Sequence, residues 1–446
     1  MRLFETAACM DTIDTLICAR WVIPIEPVGR VLEHHAVALK DGRIAAVGPT
    51  EELVRTARAD TVIERPNHVL LPGFVNTHTH AAMTLLRGVA ESASFERWLQ
   101  AQVWPLEQRW IDAEYVRDGT ELAIADMLTS GTTCFGDMHL FPEIVAQTAA
   151  HAHMRACIGL PVIERATSWA ESAGECLEKG LRLHDEYRGD PLITTSLSPY
   201  AAWALGDETL MRVRRAADEL ELPMTMHVNE SPEDALSGEE RTIARLDRLG
   251  LLSPLLTAVH MVHVDDADID ACAQAGVSIA HCPQSNLKLG NGIAPVARYK
   301  TRDINVALGT DGAASNNDLS MLDEVRTAAL LARGVHSAHV GIEAHEWLRF
   351  ATLNGARALG LGEVIGSLTP GKWADMCCLD LARAHTQPDY DVAAHLVFAA
   401  SRVQVSDVWV AGRALVSEFR LTRLDEADLL ARAERWRARI TATRAS

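Results

Sequence analysis

Gly73-Phe74-Val75-Asn76-Thr77-His78-Thr79-His80 reads as a short apolar strand that ends in two histidines. In extended backbone, residues i and i+2 project from the same side, so the imidazoles of His78 and His80 can converge on one ion. Such a pair alone decides little; its weight comes from what recurs downstream. Seven further apolar runs follow, at 132–135, 155–159, 193–198, 224–227, 257–259, 278–280 and 305–308. Segments with helical spacing separate them, among them 113–129, 207–219 and 265–275. Eight alternating units predict an α/β fold, a closed (β/α)8 TIM barrel.

The two ends of the chain read differently. Short strands are expected at 12–19, 36–40 and 43–47, with a turn at Asp41-Gly42. After a helical stretch at 343–359, Gly371-Lys372-Trp373-Ala374-Asp375 opens a second strand-rich patch that runs through 403–410. Strands at opposite ends of a barrel can pair only if the termini meet. The expected organisation is a small β-sandwich domain formed from 1–66 and 367–425, a barrel over 67–366, and a surface helix over 426–446.

Composition sets limits on function. In 446 residues, 48% are hydrophobic and 23% charged, the balance of a globular chain with ample core. A net charge of −18 repels polyanions, which argues against nucleic acid as a partner and favours a small-molecule substrate. Apolar runs fall short of the roughly 18 residues a membrane span requires, and no leader pattern opens the chain, so a cytoplasmic protein with no membrane partner is expected. Nine scattered cysteines, an odd number without a CxxC pair, read as reduced core residues.

Ligand-type residues recur where barrel active sites are assembled, at the C-terminal ends of strands. His227 ends the fifth run, His260 and His281 follow the sixth and seventh, and Asp311 lies three residues after the eighth. His78, His80, His227 and Asp311 would offer three neutral nitrogens and one oxygen. That set suits one divalent ion, zinc first, with Fe2+ or Mn2+ as alternatives, and leaves room for water. The ion would bring the pKa of that water to about 7, and Asp311 could accept its proton. Glu230, three residues beyond His227, could overhang the ion as a general acid toward a ring nitrogen; the competing reading is a solvated carboxylate in the loop 229–234. His260 is the candidate third catalytic group, orienting the water or stabilising developing charge, with His263 and His281 as second choices.

HExxH, GxSxG and GxxxxGKS are absent, as are the paired cysteines of the zinc nucleobase deaminases. In order, Leu71-Pro72-Gly73-Phe74-Val75-Asn76-Thr77-His78-Thr79-His80, His227-Val228-Asn229-Glu230 and Leu308-Gly309-Thr310-Asp311-Gly312 resemble the amidohydrolase superfamily over nearly the whole chain. Met83-Thr84-Leu85-Leu86-Arg87-Gly88 and the segment from His281 to Gly290 look like its branch of methylthioadenosine and S-adenosylhomocysteine deaminases, relatives of triazine and ammeline hydrolases. The resemblance implies one divalent metal on His78, His80, His227 and Asp311, ring protonation by Glu230, release of ammonia, and a homo-oligomer. It places Glu107 against ribose hydroxyls, and Trp98 and Tyr200 among the substrate contacts, Tyr200 standing where the branch carries a histidine. No lysine occurs in 192–199, where two-metal members carry one. Leu160 and Cys176 stand where arginines are expected to hold an amino-acid carboxylate, which favours adenosine or methylthioadenosine over S-adenosylhomocysteine. The alternative is hydrolysis of another N-heterocycle, a triazine, ammeline, guanine or pterin; a non-catalytic barrel would require lost ligands, and none is missing.

Overall fold

The computed structural model describes residues 10–89, 98–237, 240–335 and 341–444. The chain opens with strands β1 (Met10–Val22), β2 (Leu32–Lys40), β3 (Arg43–Pro49) and β4 (Ala57–Pro72). It then runs through β5 (Phe74–Thr79), β6 (Thr132–Met138), β7 (Arg155–Val162), β8 (Ile193–Pro199) and β9 (Met224–Val228). A small ribbon, β10 (Leu236–Ser237) with β11 (Glu240–Arg241), precedes β12 (Leu256–His260), β13 (Ser278–His281) and β14 (Asn305–Leu308). The last strands are β15 (Met376–Asp380), β16 (Val405–Val410), β17 (Arg413–Ser417) and β18 (Arg420–Leu421).

Strands β5 to β9 and β12 to β14 form one parallel sheet in the order β14-β13-β12-β9-β8-β7-β6-β5. All eight predicted runs are present. Their residues are almost entirely buried, because helices cover one face and the barrel interior the other, which is why they read as continuous apolar runs without alternation. Side chains close the seam between β14 and β5: Thr77 Oγ1 donates to the Leu308 carbonyl at 2.7 Å, and Asn76 bonds both the backbone and the hydroxyl of Thr310 at 2.9 and 2.7 Å.

The terminal strands form a second, mixed eight-stranded sheet, β18-β17-β16-β15-β4-β1-β2-β3, in which β4 from the N-terminal part pairs antiparallel with β15 from the C-terminal part. The sheet curls over: Ile44 and Val47 of β3 share one apolar cluster with Met376 of β15 and Trp409 of β16. A Cβ on Gly42, in the β2–β3 turn, would lie 2.5 Å from the Ala411 carbonyl in the β16–β17 turn. Only a glycine allows that closure. The expected sandwich from both termini is therefore one sheet facing itself.

Three local expectations change. β4 is 16 residues long and continues to Pro72, beyond residue 66; its first two-thirds, with Arg58, Asp60, Glu64 and Arg65 around the pair Val62-Ile63, are largely exposed. The stretch 343–359 is two helices, Ala344–Phe350 and Leu353–Ala358, separated at Thr352, whose φ of −129° and ψ of −92° are not helical. The C-terminal helix Glu426–Arg444 is docked rather than free-standing: Leu429, Trp436 and Ile440 are buried, the Trp436 indole donates to Asp118 at 2.9 Å, and Arg432 pairs with Asp118 and Glu121. The described cysteines are all free thiols. Among the described residues no helix is long and apolar enough to cross a membrane.

One buried ion pair joins the two sheets. Arg155, at the start of β7, donates through Nε and Nη2 to Asp375 at 2.6 and 3.0 Å, and Asp375 also accepts from the Ala411 amide at 2.8 Å. Both side chains are nearly inaccessible, so removing one strands the other's charge in a low-dielectric interior. Asp375→Ala is expected to cost about 3–5 kcal/mol of unfolding free energy, read as a fall in the urea midpoint at unchanged slope; a shift below 1 kcal/mol would show that the pair is not a structural tie.

Candidate active site

Nine residues singled out in the sequence meet at the C-terminal rim of the barrel. His78 and His80 leave β5, His227 is in β9, His260 ends β12, and Asp311 follows β14. His78 and His80 point Nε2 at Asp311 Oδ1 over 3.5 and 3.3 Å, and His227 Nε2 lies 3.2 Å from His78 Nε2. His78, His80 and Asp311 form one compact group of ligand atoms, and His78, His227 and His260 form another that shares His78. Glu230, Glu107, Trp98 and Tyr200 line the adjoining cleft, which encloses about 800 Å³.

The tautomers follow from the hydrogen bonds. His80 Nδ1 donates to the Met138 carbonyl, His227 Nδ1 to the Tyr200 carbonyl at 2.6 Å, and His260 Nδ1 to Asn286 Oδ1 at 2.8 Å. Each Nε2 is thereby left with a lone pair turned inward. Burial drives the His78 pKa down to about 4, that of His227 well below its ordinary value, and that of His260 down, all toward the neutral form that binds metal. Burial opposes ionisation of Asp311, but its contacts with His78 and His80 hold its carboxyl well below the usual range. Its Oδ2 accepts from Ser285 and Ser315 at 2.7 and 2.8 Å, and Oδ1 from the Gly312 amide at 2.8 Å.

This arrangement fits a cation. His227 Nε2, an acceptor by its tautomer, lies 3.2 Å from His78 Nε2, a separation that a cation between the two rings would favour. Ligands bound at ~2.0–2.1 Å to a tetrahedral ion sit ~3.4 Å apart, close to the 3.2 to 3.5 Å found among His78, His80, His227 and Asp311. Three imidazoles and one carboxylate are the donor set of a divalent transition metal.

Glu230 sits on the other wall. Its carboxyl is 6% exposed, lies 3.7 Å from His260 Nε2, and accepts from Asn291 Nδ2 at 2.9 Å. Burial, with Asp311 and Asp234 adding repulsion, raises its pKa well above the carboxylate range. The cleft thus holds two carboxyl groups whose environments push their proton affinities apart. Burial also pushes Glu107 up to about 7, against the opposing pull of His80 and Arg165.

With that geometry in hand, the amidohydrolase model matches residues 69–415. The chain belongs to the amidohydrolase family. A short match to an imidazolonepropionase-like bacterial composite domain covers 36–57, in the terminal sheet. The chain is 40% identical over 97% of its length, and 98% of the relative's, to a 5-methylthioadenosine/S-adenosylhomocysteine deaminase of Saccharophagus degradans. It is 36% identical to a 5'-deoxyadenosine deaminase of Methanosarcina mazei, covering 95% of this chain and 97% of that one. Among solved structures, an adenosine deaminase from Xanthomonas campestris with bound zinc superposes with a TM-score of 0.95 at 45% identity, covering 97% and 99% of the two chains.

This amidohydrolase also uses residues that the sequence reading passed over. Ser285 and Ser315 fix Asp311, and Asn291 fixes Glu230; Ser315 sits one helical turn after Asp311, a spacing that could have been noticed. Tyr200 contributes its backbone carbonyl as well as its ring, a role no side-chain pattern reveals. His263 braces the Glu230 wall by bonding the Asn291 carbonyl at 2.6 Å. His281 faces a separate apolar hollow with Ile293, Ala294 and Val296, outside the cleft. Arginine is missing at 160 and 176, yet the cleft has a guanidinium: Arg165 lies 4.7 Å above the Trp104 ring at the mouth.

Purified protein is expected to bind one divalent ion per chain by elemental analysis, and His227→Ala to lower that affinity by about 10- to 100-fold or more. Full retention of metal by both His227→Ala and Asp311→Ala would place the ion elsewhere.

Proposed function

We propose that the chain is a metal-dependent aminohydrolase that deaminates an adenosine-type nucleoside, 5'-methylthioadenosine or adenosine, to its inosine product and ammonia. The observation that carries this reading is the buried carboxyl of Glu230, raised by its burial, facing Asp311, lowered by His78 and His80, across a cluster of imidazole nitrogens. The named activities of relatives that share nearly the full length support it.

His78, His80, His227 and Asp311 would hold one divalent ion, zinc by the softness of three imidazoles, with Fe2+ or Mn2+ as alternatives. Bound there, it supplies a Lewis acid and a water acidic enough to react near neutral pH. Glu230 donates its proton to a ring nitrogen, which leaves the adjoining carbon open to attack. Asp311 takes a proton from the attacking water, and His260, between Glu230 and the ligand cluster, orients that water. Asp311 then passes its proton to the amino group, which leaves as ammonia. The remaining hydroxyl proton returns to Glu230, and the ring nitrogen keeps the proton it received. Glu107 accepts from the sugar hydroxyls, while Trp98 and Tyr200 pack against the heterocycle. The reading gives this chemistry to the barrel at 67–366 and a supporting role to the terminal sheet.

Ammonia release should be measured across adenosine, methylthioadenosine, S-adenosylhomocysteine, guanine, a pterin and ammeline, with a metal-stripped control. Turnover of the two short nucleosides above the rest is expected; silence on nucleosides with activity on a bare ring would move the enzyme to another heterocycle. Glu230→Gln should keep its metal and lose about 10²–10⁴-fold in kcat; near-normal turnover would remove Glu230 from the mechanism.

A further inference from the structure

The cleft wall built by β6 to β8 carries two buried polar atoms that the fold leaves unsatisfied. His139, just after β6, is 6% exposed and Ser198, in β8, is 1% exposed; both line the cleft, and neither His139 Nε2 nor Ser198 Oγ has a hydrogen-bond partner. Buried polar atoms are ordinarily paired, so an unsatisfied one on a residue that lines the cleft marks a place for a ligand or a water.

The two atoms differ in what they can accept. The Ser198 hydroxyl, which borders the same small space at Gly159 as the Asp137 carbonyl, can both donate and accept, so it has two ways to be satisfied. His139 has no such outlet. Its Nδ1 donates to the Leu140 carbonyl at 3.1 Å, which leaves Nε2 as a pure acceptor, and burial lowers the ring's pKa to about 4, so it stays neutral.

An acceptor needs a donor. The ring edge of an adenosine-type substrate offers only acceptors at its three unsubstituted ring nitrogens, and its donors are the amino group and the sugar hydroxyls. The amino group is fixed beside the carbon under attack, with Glu230 and Asp311. We infer that His139 is a substrate-specificity residue whose Nε2 accepts a hydrogen bond from one sugar hydroxyl of the nucleoside, alongside Glu107. This inference rests on the nucleoside-deaminase reading of the same cleft.

The test is steady-state kinetics of wild type, His139→Phe and His139→Gln on adenosine and its 2'-deoxy, 3'-deoxy and 5'-deoxy analogues, with melting temperature recorded for each protein. His139→Phe keeps the bulk and removes the acceptor; it should lower kcat/KM for adenosine about tenfold, mostly through KM. The one analogue that lacks the bonded hydroxyl should be turned over equally by wild type and His139→Phe. His139→Gln, which retains an acceptor oxygen, should recover part of the discrimination. An equal fall on all four nucleosides, or no fall on any, overturns the inference while leaving the deaminase reading intact. A wild-type enzyme silent on all four overturns both.

Discussion

His78 Nε2 and His227 Nε2 face each other at 3.2 Å, a contact that is repulsive when both carry lone pairs, and the rim of the barrel is organised around it. A cation between them turns repulsion into attraction, but only if each ring keeps its single proton on the outer nitrogen. The outer nitrogens are held by groups on neighbouring strands: His80 of the β5 end by Met138 of β6, and His227 of β9 by the carbonyl just after β8. Asp311 is held by Ser285, which follows β13. His80, His227 and Asp311 are therefore each locked by the strand beside their own, so this part of the site exists only when the barrel is closed and in register.

The backbone contributes the same kind of constraint. Asn229, His260, Met261 and Asp311 all adopt left-handed φ values, between 49 and 73°, at strand ends. Non-glycine residues held there are strained by about 1–3 kcal/mol each. The strain is offset by backbone bonds that require the same turn: Val262 to Asn229 at 2.9 Å, Met261 to Val228 at 3.0 Å, and Asp311 to His78 at 3.0 Å. These turns aim His260 and Asp311 back over the strand ends instead of along them. A preorganised site of this kind needs little rearrangement when charge develops.

Much of this was legible in the sequence because the strands are buried on both faces. Continuous apolar runs, four of them ending in or followed by a histidine and one followed by an aspartate, announce both the barrel and its rim; the family resemblance then gave Glu107, Trp98 and Tyr200 their places. What stayed hidden was structure whose signal is not side-chain chemistry. The exposed part of β4 is polar because one sheet edge needs no apolar alternation there, and its backbone pairing with β1 and β15 leaves no mark on residue choice. The C-terminal helix looks like a solvated charge pattern because only Leu429, Trp436 and Ile440 face inward. Carbonyl groups such as those of Met138 and Tyr200 are present at every position and can be assigned only by geometry. His281 fitted the strand-end rule as well as His260 did, yet its ring turns toward a different hollow.

The division of labour within the cleft also explains why reaction type was easier to read than substrate. The chemistry proposed for the cleft draws on groups fixed by the barrel closure, His78, His80, His227, His260, Glu230 and Asp311, whose types suit proton and metal affinity. Recognition in the proposed reading falls to the mouth and to the β6 to β8 wall, where Trp104, Arg165 and His139 line the cleft. Trp104 and Arg165 are partly or fully exposed at the mouth, so the fold places few demands on them and many residue types there would leave the barrel intact. Arg165 shows the consequence: a guanidinium reaches the mouth from a position that alignment by motif does not inspect. Specificity in this architecture is therefore a property of the cleft's composition in space, and the same set of charges can be assembled from different places in the chain.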